Sequence, residues 1–314
     1  MKAVIVPSFG DSHVLRVVDQ AEPRPEANQV LIKVEAAGVG YVDVMARNGA
    51  YQPLSEPGFS PGLEAAGTVT AVGEGVPRDW VGQQVFALTG SGAYAESVVV
   101  DACDIVRLPG GVSAADAVAL GVNALVASIA LKRANLMDGE RVLVRGAGGG
   151  IGVMAVQLAA LYGGVVTAIT SSPARGIRLR NLGAAHVQDR TTDPDSGTFD
   201  IIVDPVAGQD TGRWVEKLRP NGRYLLLGAA GGAPTVDTFN SILATYHNSP
   251  SLHAFSLNSI DPGTVGAAAT ALFHLVAQGG LRAVIDDEVP LAEAHRAHER
   301  LESTPVFGKI VLRP

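Results

Sequence analysis

An apolar run that breaks at once into glycines and then into an amphipathic segment leaves a chain few ways to fold. Residues 141–152, RVLVRGAGGGIG, followed by VMAVQLAALY, form such a passage and predict strand, tight turn and helix. Read as A-x-G-x-x-G, the turn puts Ala147, Gly149 and Gly152 where a dinucleotide-binding turn needs small residues. The chain there must turn sharply, approach a pyrophosphate and pack helix on strand. Gly150 and Ile151 lie among them at the helix start, where the first N–H groups have no intrahelical partner and favour phosphate. Glycine-rich turns also occur in ordinary loops, so the neighbouring sequence decides the reading.

After that helix comes VVTAIT at 165–170, whose apolar and β-branched residues suit a parallel strand covered on both faces. The alternation continues with the helix-prone ARGIRLRNLG, then FDIIVD at 199–204, DTGRWVEKLR, RYLLLG at 223–228 and LHAFSL at 252–257 as a sixth strand. This order predicts an α/β fold with a doubly wound parallel sheet, which binds ligand beyond the carboxyl ends of its strands.

At 314 residues the chain suits two domains better than one core. No uninterrupted apolar segment of about 18 residues is present, so a membrane span is not expected. The opening MKAVIV reads as a strand rather than a signal peptide, giving an expectation of a cytoplasmic protein. A net charge of −7 with both signs interspersed offers no basic footprint for nucleic acid. The single cysteine, Cys103, excludes an intrachain disulfide and any multi-cysteine zinc site. It is expected to be buried filler, with Asp104 disfavouring its thiolate.

Before residue 119 the texture changes to short alternating runs, QVLIKVEAAG, GTVTAVGEGV, QQVFAL and AYAESVVVD, separated by Gly, Pro and Ser. These predict antiparallel strands in a β domain. Alanine and leucine dominate from residue 113 to about 134, predicting helices. Towards the end, TVGAAATALFHLVAQGG reads as helix, residues 283–285 as extended, AEAHRAHERLES as helix and KIVLRP as a strand returning to the first domain.

Several local patterns together, GVGYVDVMARNGAY, PGLEAAGTVTAVGEGV, GAYAESVVV, the glycine turn, DPVAG at 204–208, AHRAHERLES and FGKIVLRP, resemble the medium-chain dehydrogenase/reductase superfamily. Within it the chain is similar to the zinc-free NADPH:quinone oxidoreductase branch related to zeta-crystallin. The resemblance implies a GroES-like β domain from 1–118 joined by 259–314, a Rossmann domain at 119–258, and an active site in the cleft between domains. It also implies a homodimer joined through the last Rossmann strand, which would otherwise leave an open sheet edge.

NAD-dependent relatives end the second strand of the sheet with an acid that binds the ribose and repels a 2′-phosphate. Here the strand ends Ile169-Thr170-Ser171-Ser172. Ser171, Ser172 and Arg175 could instead donate to phosphate oxygens, which favours NADPH. The alternative is a helix N-cap at the serines before Pro173, with Arg175 solvated; the two are compatible. Arg190 stands where relatives commonly carry a Tyr near the adenosine, and is either a further cofactor contact or an exposed strand-end arginine. The resemblance places Val206 and the Gly228-Ala229 turn near the ribose and nicotinamide, and Phe255 and Ser256 along the amide edge.

Zinc alcohol dehydrogenases of the superfamily carry a Cys ligand in the segment matching residues 38–43 and a His-Glu pair matching Leu63-Glu64. This chain has Gly40-Tyr41-Val42-Asp43 and no His beside Glu64, so no metal is expected. Without a Lewis acid, an acceptor that needs mainly a well-placed hydride suits the sequence: a small apolar quinone or conjugated enone. Tyr41, Tyr51 and Asn123 are the candidate donors to its oxygen, each with a packing or capping alternative; Asn123, where relatives usually carry a Thr, is also a candidate contact to the nicotinamide. The usual quinone reductase motif has Asn at Gly40 and an aromatic at Met45, so the expected pocket is roomier and more apolar here. Asp43 and Arg47 are expected to pair along a helix face. Glu64 is expected to be a hydrogen-bonding buttress, His295 and His298 a solvated helix face rather than the spaced metal pair they resemble, and Lys309 a strand-edge lysine, its alternative being to reach the cleft. A non-catalytic NADPH-binding protein, crystallin-like or RNA-binding, is the competing reading.

Overall fold

The computed structural model describes residues 1–190, 197–303 and 305–314. The N-terminal region runs through β1 (Lys2–Ile5), β2 (Arg16–Asp19), β3 (Gln29–Val39), α1 (Tyr41–Arg47), β4 (Glu64–Val72), β5 (Gln84–Leu88), β6 (Ser97–Asp101) and β7 (Ile105–Arg107). Helix α2 (Ala114–Arg133) follows. Its helical geometry breaks at Gly121, and the adjacent Val122 N–H donates to Glu64 Oε2 at 2.8 Å.

The middle of the chain alternates β8 (Arg141–Val144), α3 (Gly150–Leu161), β9 (Val165–Thr170), α4 (Pro173–Asn181), β10 (His186–Asp189), β11 (Phe199–Asp204), α5 (Thr211–Val215), β12 (Leu218–Leu226), α6 (Asp237–Ala244) and β13 (Ser251–Ala254). The last segment supplies α7 (Pro262–Ala277), β14 (Ile285–Pro290), α8 (Ala294–Ser303) and β15 (Lys309–Arg313). The stretch read as extended at 283–285 thus only begins a strand, at Ile285.

The chain divides into two compact units, Met1–Val122 with Asp261–Pro314, and Asn123–Ile260. In the first, β14-β15-β3-β4-β5-β7 form a sheet, β6 also pairs with β3, and β1 pairs with β2. The long β3 is the hub because its alternation lets it bury one set of side chains, Val30, Ile32 and Val34, while pairing with β4, β6 and β15. The terminal β15 is antiparallel to β3 through Ile310↔Val39 and Leu312↔Ala37, which fixes the chain end in this unit.

The second unit is a six-stranded parallel sheet ordered β10-β9-β8-β11-β12-β13. Its central strands are buried along most of their length, as strands covered on both faces must be. Helix α3 is almost wholly buried, which its continuous apolar sequence requires. Strand order reverses at β8, between β9 and β11, so the ends of these strands open at the switch point where such sheets take ligand.

Helix α2 is long and apolar enough to cross a membrane, although Asp116, Lys132 and Arg133 interrupt it and leave no unbroken apolar run of 18 residues. Its strongest window is 89% buried, the packing of a core helix. Cys103 is exposed, not buried filler, because the short helical turn at Ala102–Asp104 turns it outward between β6 and β7. Partial desolvation and the charges of Asp104 and Asp101 push its thiol pKa up.

Candidate functional site

In the parallel unit the glycine turn leaves β8 through Gly146, whose φ is +53°. Gly149 N–H donates to Gly146 O at 2.9 Å, and Gly149 caps α3 in an extended conformation. A Cβ on Gly152 would stand 2.1 Å from Gly146 O and 2.8 Å from Ala147 Cα, so the helix lies directly on the turn. A Cβ on Gly150 would stand 2.5 Å from Asn123 Nδ2, so the buried Asn123 packs flush against the first helical residue. Ala147, Gly149, Gly150, Ile151, Gly152 and Asn123 are therefore gathered into one cradle. The N–H groups of the first helical turn have no carbonyl one turn earlier within α3 and supply the positive end of its dipole. The cradle fits a pyrophosphate.

A second cluster lies at the end of β9. Ser172 caps α4, accepting from Arg175 N at 3.5 Å, with Pro173 at the first helical position; the capping alternative is thus realised. Ser171 remains exposed. Arg190 N–H donates to Thr170 O at 2.8 Å, which brings the exposed Arg190 beside the same strand end. The carboxylate of Asp189 is on neighbouring β10, in register with Thr170, rather than at the end of β9.

A third cluster follows β11. Asp204 Oδ1 accepts from Val206 N and Ala207 N at 2.8 and 3.0 Å, bending the chain so that Val206 covers Gly146. Gly231 N–H donates to Val206 O at 2.7 Å, and a Cβ on Gly228 would stand 2.7 Å from Pro205 O. Val206 and Gly228 thus share one corner of the switch point. Phe255 N–H continues the sheet to Leu226 O at 3.1 Å, while its ring lies 5.5 Å from the Arg133 guanidinium. Ser256 caps the next turn, accepting from Asn258 N at 3.3 Å.

The β unit holds Tyr41, exposed as the first residue of α1, and Tyr51, half-buried ahead of the turn at Gln52–Leu54. The expected Asp43–Arg47 pair does not form. Asp43 turns back to accept from Gly40 N at 2.7 Å and Gly62 N at 3.1 Å. Arg47 instead reaches α8, donating to both oxygens of Glu302 at 3.0 and 2.7 Å and to Gly10 O at 3.0 Å. Burial pushes the Asp43 carboxyl up to about 6, with the Gly40 N–H and Lys309 opposing and Glu64 adding to the rise.

Two further expectations fail here. His298 is buried rather than solvated, its Nε2 3.2 Å from Tyr94 Oη and its Nδ1 3.4 Å from Arg47 Nη1. Burial, with the Arg47 charge, pushes it down to about 3, so it is neutral. Lys309 is buried too, its Nζ 2.5 Å from Glu64 Oε1, because β15 is flanked on both sides by β14 and β3 rather than lying at an edge. Glu64 is thereby held by Lys309 and by Val122 N–H, as a buttress. Among the described residues, no three His, Cys, Asp or Glu side chains converge as metal donors. A zinc site matching the superfamily's Cys and His-Glu positions does not fit, since Gly40 and Leu63 offer no donor and Glu64 is engaged by Lys309.

The buried Arg145, held among buried Asp204, Trp214 and Tyr224 and by the exposed Asp210, was not legible from the motif. The only sequence signal is a cation at the junction of an apolar strand and a glycine turn.

Residues 26–110 match the alcohol dehydrogenase GroES-like domain family, and residues 182–312 the zinc-binding dehydrogenase family. The chain is 33% identical to a quinone oxidoreductase of Lama guanicoe, covering 99% of this chain and 97% of that protein. It is 30% identical to the synaptic vesicle membrane protein VAT-1 homolog of Danio rerio, covering 99% of this chain and 69% of the relative. Among solved structures, the Escherichia coli quinone oxidoreductase complexed with NADPH superimposes with a TM-score of 0.92 at 25% identity, with all of both chains covered.

Proposed function

The chain belongs to the quinone oxidoreductase branch of the medium-chain dehydrogenase/reductase superfamily, and from that premise we propose that it reduces quinones or conjugated enones without zinc. It is an oxidoreductase that binds NADPH. The observation that carries the reading is the cradle formed by Asn123, Ala147 and Gly149–Gly152, together with a β9 end that offers Ser171, Ser172 and Arg175 in place of an acid. The α3 dipole and N–H groups hold the pyrophosphate, and the serine hydroxyls and Arg175 hold the 2′-phosphate. Val206 and Gly228 shape the corner for the nicotinamide ribose.

Bound NADPH supplies the hydride. The protein's share is to orient the acceptor and to stabilise the negative charge that develops on its oxygen. The Tyr41 and Tyr51 hydroxyls and the Asn123 amide are the candidate donors. Zinc independence is supported by Gly40 and Leu63, which offer no donor where zinc relatives carry Cys and His, and by the engagement of Glu64 with Lys309. Incubating the enzyme with NADPH and a panel of quinones and enones, while following the loss of nicotinamide absorbance, tests the reading. Turnover that survives chelation is the expected result; turnover of neither acceptor class would exclude it.

We also propose a homodimer. Strand β13 is exposed along its whole length at the edge of the parallel sheet. The neighbouring α6 region exposes an apolar stripe that a second copy would cover.

A further inference from the structure

Arg145 stands between Val144, the last residue of β8, and the left-handed Gly146. Its backbone N–H donates to Val203 O at 2.9 Å, carrying the pairing with β11 one step beyond the strand. Its side chain is buried, the residue being 7% exposed. Nη1 donates to Asp204 Oδ2 at 2.7 Å, and more weakly to Tyr224 Oη and Ala207 O at 3.3 and 3.4 Å. Nη2 donates to both oxygens of Asp210 at 2.8 and 2.9 Å. The guanidinium lies 5.0 Å from the Trp214 ring centroid, and Trp214 Nε1 in turn donates to Asp210 Oδ2 at 2.9 Å. Burial opposes the arginine charge, yet Asp204, Tyr224 and Asp210 raise its pKa.

The segment held in this way carries Val206. One oxygen of Asp204 takes the guanidinium and the Tyr224 hydroxyl, while the other accepts from Val206 N and Ala207 N. Ala207 has a φ of +55°, which a residue with a side chain adopts only when its surroundings hold it there. Val206, so placed, closes over Gly146, the residue after Arg145. A single fork therefore fixes the 204–210 segment to the root of the glycine turn, and a planar five-donor group is the side chain able to bridge both carboxylates.

We propose that Arg145 is a positioning residue for the coenzyme, setting the separation between the pyrophosphate cradle and the Val206 corner without touching either end of NADPH. The inference rests on the NADPH reading above. Nicotinamide fluorescence titration and steady-state kinetics on the full-length wild type, Arg145→Met, Arg145→Lys and Asp210→Asn test it. Both Arg145 variants should raise the NADPH Kd and KM about tenfold, as expected for losing charge-assisted hydrogen bonds. The acceptor KM should stay within about twofold. Lysine gives no rescue, because a point charge cannot span Asp204 and Asp210. Asp210→Asn leaves the buried half of the fork intact and should raise the Kd about threefold, which decides the matter if the Arg145 variants fail to fold.

A merely structural role would lower the melting temperature and leave coenzyme affinity intact. Folded variants, Asp210→Asn included, with an NADPH Kd within about twofold of wild type would overturn the proposal. Failure of the wild type to bind NADPH would instead remove the coenzyme reading itself, so the two failures are distinguishable.

Discussion

At the residue scale, burial turned several surface-looking polar groups into structural ones. The alternation of charge in AHRAHERLES reads as a solvated helix, yet Arg47 and Tyr94 converge on His298 from distant parts of the chain. Asp43 is a buried carboxyl whose chemistry is displaced towards neutral pH. Its carboxyl rises from 3.8 to about 6, so the folded state holds its proton more tightly than the unfolded chain does. Stability associated with it is fully present below the unfolded value and is lost as pH rises through about 6. Relative to an Asp43→Asn variant, the wild type should therefore gain stability as pH falls from 7 towards 4. The gain is up to about 3 kcal/mol, from the pKa difference at 1.36 kcal/mol per unit. Parallel denaturant titrations of the two proteins across that range check it; a pH-independent difference would show that Asp43 is not the group responsible.

At the element scale, α6 has its polar side inward. Thr238 and Ser241 are buried, with Ser241 Oγ on Glu216 Oε1 at 2.8 Å. Val236, Phe239, Leu243 and Tyr246 stand 72, 70, 69 and 73% exposed at helical spacing. So large an apolar stripe marks an interaction surface, and the open β13 edge nearby in sequence offers the main-chain groups that a second identical edge would pair. Replacing Phe239 and Leu243 together by Glu should convert the proposed dimer to a monomer of unchanged helix content, read by light scattering and circular dichroism. A wild type that scatters as a monomer at micromolar concentration would remove the dimer reading. The glycine-turn strand and helix were legible because period and punctuation are local properties. The inverted polarity of α6 was not, since its sequence does not say which face meets the sheet.

At the scale of the whole molecule, coenzyme binding couples to folding through the unit that contains the cradle. Saturating NADPH at about 100 times its Kd should stabilise that unit by about 2.7 kcal/mol and raise its melting transition by several degrees. NADH, which cannot engage Ser171, Ser172 and Arg175 through a 2′-phosphate, should shift it less at the same concentration. Calorimetry with each coenzyme measures both, and equal shifts would exclude 2′-phosphate recognition. The amino-acid sequence alone determined the parallel sheet, the glycine cradle, the missing acid after β9 and the return of the last strand, because each is written in contiguous periodicity or in a short motif. Only the tertiary structure decided that Arg145 would clasp Asp204 and Asp210, that Lys309 would sit on Glu64, and that Arg47 would reach Glu302 instead of Asp43. Buried charges take whichever opposite partner the packing brings within reach, and that distance is set by the fold rather than by spacing along the chain.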